Sequence, residues 1–254
     1  MKNETSIGTW LSVGSPVIAE VAALSGFDWV LLDLEHGSAS EASLPEQLRA
    51  MRGSRTKGVV RVGAPHPDLI ARVLDWGADG IMVPHINTVA EAEALVRAAH
   101  YPPRGRRGFS RTVRAHDYGL RSPEGTPAPL LLAQIETLDA VNASAAIAGV
   151  AGIDVLFVGP ADLQHDLRHR PATDTADFED CLARVVAAAR AAGKYAGTLV
   201  RDISELPRRL DQGFTQVAVQ SDLALLRDAF SAILRDWGSL DRPQQPFSPG
   251  TGPA

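Results

Sequence analysis

Short apolar runs alternate with amphipathic stretches along most of this chain. Eight runs rich in Val, Ile and Leu, each bounded by Gly, Pro or polar residues, predict strands that are buried on both faces. They cover residues 8–13, 29–34, 58–62, 80–83, 130–135, 155–158, 195–200 and 216–219. Strands of this kind are typical of a parallel sheet.

Helical patterns fill the intervals between the predicted strands. They cover residues 16–25, 44–52, 67–76, 89–99, 138–148, 178–192, 204–212 and 223–237. Pro16 and Pro67 fall in or near predicted first turns, where the missing N–H costs little, and Gly follows most of the predicted helix ends.

Strict alternation of strand and helix predicts a parallel sheet, and eight such units in 254 residues predict a closed (β/α)₈ barrel, the TIM barrel. A doubly wound open sheet is the alternative, although no Gly-x-Gly-x-x-Gly follows the first predicted strand. We expect a single barrel domain over residues 1–240. Residues 241–254, rich in Pro, Gln, Ser and Gly, are predicted to be a flexible tail.

Two predicted connections are long, at residues 101–129 and 161–177. Loops of this length in a compact domain are commonly functional or disordered. The first contains a basic stretch from Arg104 to Arg111, followed by Arg114 and His116. We expect this basic loop either to cover an anionic substrate or to pack on a neighbouring subunit.

The composition narrows the class of partner. A formal net charge of −5 argues against nucleic acid or an anionic membrane as the main partner, because such surfaces recruit clustered cations, and it favours a small-molecule ligand. The single cysteine, Cys181, provides neither a disulfide framework nor a thiolate metal site and is expected to be buried. No signal-peptide pattern or apolar run of the ~20 residues needed to span a bilayer is present, so the expected location is the cytoplasm.

Chemically active side chains recur where the predicted strands end. They are Glu35, His36, Arg61, Gln134, Glu136 and Asp162. Because the carboxyl ends of parallel strands meet at one face of a barrel, these groups are expected to converge there. Each of them alone could be a helix cap, an ion-pair partner or a structural histidine, but their coincidence at one rim favours an active site.

Two of these residues, Glu136 and Asp162, follow neighbouring predicted strands, whose backbones are about 4.8 Å apart, so both carboxylates can reach one ion. Carboxylate oxygens without cysteine or a histidine triad favour a hard divalent cation, Mg²⁺ or Mn²⁺, with Co²⁺ as a further candidate. The segment from Gly159 to Asp162 reads as a tight turn that exposes backbone groups beside the acid.

A lysine Schiff base would need a lysine inside the barrel near its mouth. Lys57 and Lys194 immediately precede their strands and therefore belong to the opposite rim, and Lys2 is terminal. Carbonyl activation is therefore expected from a metal acting as Lewis acid, with an arginine supplying positive charge.

Taken in order, the motifs of this chain resemble those of the HpcH/HpaI aldolase family, the metal-dependent pyruvate aldolases of the phosphoenolpyruvate/pyruvate barrel superfamily. The likeness runs from about residue 8 to residue 226. Its main motifs are Gly26-Phe-Asp-Trp-Val-Leu-Leu-Asp-Leu-Glu-His-Gly37, Val60-Arg61, Gln134-Ile-Glu-Thr137 and Val158-Gly-Pro-Ala-Asp-Leu163.

The resemblance implies a reversible retro-aldol cleavage of a 4-hydroxy-2-oxo acid to pyruvate and an aldehyde. It implies that Glu136 and Asp162 bind the metal, with Gln134 beside the metal and its waters. Arg61 would bind the pyruvate keto oxygen. His36 would be the general base.

The resemblance also implies supporting residues. Asp75 would orient His36. Trp10 and Asp33 would line the site, with Asp33 near the far end of the substrate. The backbone of Gly159, Pro160, Ala161 and Asp162 would hold the pyruvate carboxylate. The family assembles as hexamers, trimers of dimers that exchange the terminal helix, and the apolar helix predicted at 223–237 is compatible with this.

The chain departs from the family pattern at two places near the mouth, residues 62–68 and 164–168. Because of these departures, the resemblance does not identify which aldehyde the reaction releases. Two rival functions also remain: an oxaloacetate decarboxylase or related metal-enolate enzyme, and a noncatalytic metabolite-binding barrel.

Overall fold

Eight parallel strands close into a barrel in the computed structural model, which describes residues 5–239. The strands neighbour one another in chain order, and the eighth pairs with the first. They are β1 (Ser6–Leu11), β2 (Trp29–Asp33), β3 (Lys57–Arg61), β4 (Gly80–Val83), β5 (Leu130–Ile135), β6 (Val155–Val158), β7 (Tyr195–Val200) and β8 (Gln216–Ser221). The predicted (β/α)₈ barrel is therefore confirmed, and the open-sheet alternative is wrong. The predicted tail lies outside the described residues.

Helices follow the strands and surround the barrel. They are α1 (Pro16–Leu24), α2 (Leu44–Ala50), α3 (Pro67–Asp75), α4 (Val89–Ala99), α5 (Leu138–Ala148), α6 (Pro160–His169), α7 (Phe178–Ala191), α8 (Leu206–Asp211) and α9 (Asp222–Ser239). Two short 3₁₀ segments, Arg114–Gly119 and Ile203–Glu205, complete the set. None of the helices within residues 5–239 has the length and apolar character that a bilayer-spanning helix needs.

One helix, α6, lies where the sequence predicted a tight turn and a long loop. Its first residue is Pro160 and its N-cap is Gly159. Proline suits a first helical position because its fixed φ is helical and its missing N–H would be unpaired there in any case. Leu163 is the only fully buried residue of this helix, so the helix contributes few apolar residues from which it could be recognised.

Large side chains fill the barrel interior. A cluster that includes Trp10, Trp29 and Phe157 packs there, separate from the layer between strands and helices. Gly8 and Gly197 make room for it, because a Cβ at these positions would lie 2.3 Å from the Trp29 ring and 2.4 Å from the Phe157 ring. The interior is thus a packed core, and the chemistry is confined to its ends.

The outer layer joins the strands to the helices through fully buried residues such as Leu32, Val60 and Ile81. Cys181 belongs to this layer and is fully buried, as expected from the sequence. Burial raises the pKa of its thiol, which makes it an inert packing residue.

Candidate active site

Asp33 and Arg61 form a bidentate ion pair at the carboxyl ends of β2 and β3. The two residues are direct partners in the strand register. Arg61 Nε donates to Asp33 Oδ1 at 3.0 Å and Nη2 donates to Oδ2 at 2.6 Å. Only 6% of the Arg61 side chain and 2% of the Asp33 side chain are exposed. The guanidinium is therefore fixed in both position and orientation.

The carboxylate of Asp33 is saturated with donors. Trp10 Nε1 donates to Oδ2 at 3.0 Å, and the backbone amides of Glu35 and His36 reach Oδ1 at 3.0 and 3.3 Å. Burial raises the pKa of Asp33, but the hydrogen bonds and charge of Arg61 outweigh it, and the net pKa lies below its ordinary value. Asp33 is thus an ionised anchor for Arg61, whereas the resemblance implied a place near the far end of the substrate.

Trp10 lies beneath the same guanidinium. The centroid of its ring is 4.9 Å from Arg61 Cζ, in cation–π geometry, and 5.9 Å from the Phe157 ring. The indole therefore supports Arg61 from the barrel interior.

Glu35 contacts Arg61, which the sequence did not predict. Its Oε2 lies 2.7 Å from Arg61 Nη1, and its Oε1 lies 4.0 Å from His36 Nε2. His36 itself is at the mouth, with 68% of its side chain exposed. Glu35 therefore connects the fixed arginine to the accessible imidazole.

Glu136 lies directly after β5 and is buried, with 2% of the residue exposed. Its Oε2 accepts a hydrogen bond from the backbone N–H of His85 at 3.0 Å, and the His85 Nδ1 atom lies 3.3 Å away. Burial raises the pKa of Glu136 to about 7, although His85 opposes it, and the charges of Asp162 and Glu35 add to the rise. Glu136, Asp162 and Glu35 therefore place several carboxylates near one another in this part of the site.

His85 was not among the sequence candidates. It lies two residues after the end of β4 and has a left-handed backbone, with φ of 53°. This conformation is uncommon for residues other than glycine. In this conformation, both the backbone amide and the ring of His85 contact Glu136. The sequence feature that could have identified His85 is its position two residues after the last residue of a predicted strand.

The close approach of Glu136 to the next strand depends on Gly159. A Cβ there would lie 2.6 Å from Glu136 Oε1. Nearby, Gln134 Oε1 is buried without a hydrogen-bond partner among the described residues. Unpaired buried acceptors of this kind are unusual and point to a ligand.

These groups fit a hard divalent cation. The charge of Asp162, which is exposed in the first turn of α6, acts on the buried carboxylate of Glu136. A cation would neutralise both carboxylates, and Gln134 offers an oxygen beside them. Within residues 5–239, no three His, Cys, Asp or Glu side chains converge as a complete metal site, so two protein carboxylates would leave coordination positions open.

The start of α6 offers backbone donors, but fewer than expected. The N–H of Gly159 donates to Ile135 O at 3.1 Å within the sheet, and Pro160 has no N–H. The amides of Ala161 and Asp162 belong to the first turn, which has no side-chain cap. They are the donors that a carboxylate could use at this helix N-terminus.

Two expected features lie at the opposite end of the barrel. Asp75 is the last residue of α3, a few residues before β4 begins, and its Oδ1 accepts from Arg107 Nη2 at 2.5 Å. Because helices run antiparallel to the strands, Asp75 cannot orient His36 of its own chain. The basic connection 101–129 links α4 to β5 and lies at that same end, so it does not cover the site of its own chain.

Comparison with known proteins identifies the family of this chain. The sequence profile of the HpcH/HpaI aldolase/citrate lyase family matches residues 6–229. A hydroxypyruvate/pyruvate aldolase of Roseobacter denitrificans is 35% identical over 240 residues, which cover 93% of this chain and 94% of that protein. A 5-keto-4-deoxy-D-glucarate aldolase of Shigella boydii is 36% identical over 229 residues, which cover 89% of each chain.

A solved structure has the same fold. The crystal structure of an HpcH/HpaI aldolase/citrate lyase family protein from Burkholderia cenocepacia superposes with a TM-score of 0.87 at 34% identity, covering 93% of this chain and 96% of that one. The matched region includes every strand and the residues around Arg61 and Glu136. This chain belongs to the HpcH/HpaI aldolase/citrate lyase family.

Proposed function

We propose that this protein is a divalent-metal-dependent aldolase that reversibly cleaves a 4-hydroxy-2-oxo acid into pyruvate and an aldehyde. The observation that carries the proposal is the presence of a fixed cation and a buried acid at the same end of the barrel: Arg61, held by Asp33 at the end of β3, and Glu136, buried directly after β5. Family membership supports the same reaction class.

Glu136 and Asp162 would hold the metal, Mg²⁺, Mn²⁺ or Co²⁺, with Gln134 beside it. When bound there, the cation supplies the Lewis acid that polarises the keto group of the substrate. The buried position of Glu136 and the exposed position of Asp162 leave the solvent side of such a site open to substrate.

Arg61 would stabilise the negative charge that develops on the keto oxygen. A guanidinium has five N–H donors, and Asp33 takes two of them while Glu35 lies against Nη1. The remaining donors would bind the substrate from a guanidinium that is already held in place by its two carboxylate partners. Preorganised donors of this kind are commonly the largest contribution to catalysis.

His36 would remove the proton of the substrate 4-hydroxyl. As that proton moves to the imidazole, the C3–C4 bond breaks, the aldehyde forms, and its bonding electrons pass into the enolate that Arg61 stabilises. Protonation at C3 then gives pyruvate. The amides of Ala161 and Asp162 would bind the substrate carboxylate and orient the keto group.

The test is pyruvate release from a panel of 4-hydroxy-2-oxo acids by the full chain, first stripped with a chelator and then supplied with Mg²⁺, Mn²⁺ or Co²⁺. We expect metal-dependent release that Glu136→Gln abolishes. The control Glu20→Gln changes an exposed glutamate of α1 and should retain activity. Absence of metal-dependent release from every acid in the panel would instead favour a noncatalytic binding barrel.

We also propose that the protein forms a hexamer, a trimer of dimers, through exchange of α9. Phe230, Ile233 and Leu234 of this helix are 62%, 63% and 68% exposed. An apolar helix face of this kind is typical of an interaction surface. Light scattering should give a hexamer mass, and Phe230→Glu should reduce it. A monomer at working concentrations would contradict the proposal.

A further inference from the structure

A cavity of about 830 Å³ lies at the amino end of the barrel strands, away from Arg61 and Glu136. Its inner wall includes Lys57 and Leu130, the first residues of β3 and β5. The connection 101–129 forms much of its outer wall. The volume is within the range of small-molecule sites.

The lining is basic although the chain carries a net charge of −5. Six basic side chains face three acidic ones: Arg52, Lys57, Arg104, Arg107, Arg114 and Arg121 against Asp79, Asp117 and Asp154. Asp79 and Asp117 are already paired with lining cations, and Arg107 is paired with Asp75, which lies outside the lining. Within residues 5–239, Arg104 and Arg114 have no carboxylate partner, and Arg114 donates only to backbone carbonyls. The excess charge therefore favours an anion.

Buried polar atoms of the lining lack hydrogen-bond partners among the described residues. They are His100 Nε2, Arg107 Nε and both ring nitrogens of His116. These residues are only 8%, 9% and 2% exposed. The hydroxyl of Tyr101, which lies in the same wall, is also unpaired. These atoms have almost no accessible surface, so they make the wall polar from behind and do not themselves face the cavity.

Two glycines make room for the arginines that lack carboxylate partners. Gly77 has φ of +91°, and a Cβ there would lie 2.5 Å from Arg114 Nη1. Gly152 has φ of +111°, and a Cβ there would lie 2.7 Å from Arg104 Nη2. Both positions require the left-handed backbone that glycine adopts readily. The backbone at these two glycines therefore leaves room for Arg114 and Arg104 to lie against the end of the barrel.

We propose that this cavity is a second binding site, for a small organic anion with at least two negative charges. Arg104, Arg114 and Arg121 would bind its carboxylate or phosphate groups. Tyr101, Pro127 and Pro129 provide an apolar wall for its carbon skeleton. The site is separate from the proposed aldolase centre and does not depend on it.

Isothermal titration of the full chain with inorganic phosphate and with tricarballylate, at constant ionic strength, tests this proposal. The double variant Arg104→Gln/Arg121→Gln removes two exposed lining charges. The matched control Arg106→Gln/Arg111→Gln removes two exposed charges from the same connection outside the lining. Unfolding temperatures of both variants establish that they fold.

At least one probe should bind the wild type with a Kd of about 1 mM or tighter. The lining variant should weaken it about tenfold and the control less than about twofold. Phosphate as the better probe would indicate a phosphate ester, and tricarballylate a polycarboxylate. Binding of neither probe, or equal effects of the two double variants, would overturn the proposal. Binding is measured without turnover, so this outcome is independent of aldolase activity.

Discussion

Arg61 is held at two of its nitrogens by Asp33, at 3.0 and 2.6 Å, with both side chains buried where β2 and β3 end side by side. The pair fixes the cation that the proposed reaction requires. Asp33 is the partner that binds Arg61 at two nitrogens, so its loss would leave a buried charge only partly compensated by Glu35.

Asp33→Asn should therefore impair both stability and activity. The unfolding free energy should fall by about 3 kcal/mol, as for other broken buried pairs. Pyruvate release should fall about 100-fold in kcat/KM, because the misplaced arginine stabilises the developing charge less well. Chemical denaturation and steady-state kinetics measure the two effects. Asp211→Asn, at an exposed aspartate of α8, is the control; wild-type kinetics in Asp33→Asn would refute the anchoring role.

His36→Ala should separate aldol cleavage from decarboxylation. Loss of a general base commonly costs 10²- to 10⁴-fold, so retro-aldol turnover should fall by about that factor. Oxaloacetate decarboxylation should persist, since it needs Arg61 and the metal but no base for a 4-hydroxyl. Both rates are measured on the same preparation, with His169→Ala as the exposed histidine control. Full retro-aldol turnover in His36→Ala would show that the base lies elsewhere.

The raised pKa of Glu136 predicts a pH dependence of stability in chelator-treated protein. Its pKa is about 7 when folded, against an ordinary value of 4.5. The folded state therefore binds the proton more tightly, and stability should fall as pH rises from about 5 to 8. The loss attributable to this residue is at most about 3 kcal/mol.

Glu136→Gln provides the comparison for that experiment. The variant cannot ionise, so the difference in unfolding free energy between it and the wild type should grow in its favour toward pH 8. Denaturant unfolding at several pH values measures this. A constant difference across the range would mean that Glu136 titrates normally.

Gly159→Ala should disturb Glu136 without disrupting the barrel. The added Cβ would lie 2.6 Å from Glu136 Oε1, which forces the carboxylate to move. We expect an increase of about tenfold or more in the metal concentration needed for half-maximal activity, because ligand placement governs affinity. Gly108→Ala is the control, since a Cβ at Gly108 meets nothing within 4 Å. Equal metal requirements in both variants would contradict the close fit.

Much of the fold could be predicted from local sequence. Apolar runs mark the eight strands. Amphipathic periodicity, with proline near the start and glycine after the end, marks most of the helices. Each of these signals extends over only a few residues. Helix α6 was not predicted, because Leu163 is its only fully buried residue and the sequence therefore shows little of an apolar face there. The family's ordered motifs were likewise readable from the chain alone.

The sequence by itself determined the barrel and brought Arg61, Gln134, Glu136 and Asp162 to strand ends. Only the tertiary structure decided which atoms meet. Asp33 and Arg61 are 28 residues apart, and His85 and Glu136 are 51 apart. The first contact depends on the register between β2 and β3, and the second accompanies the left-handed backbone of His85. The partners of Asp33 and Asp75, which are Arg61 and Arg107, were likewise decided by the end of the barrel at which each residue lies, and no local pattern specifies that.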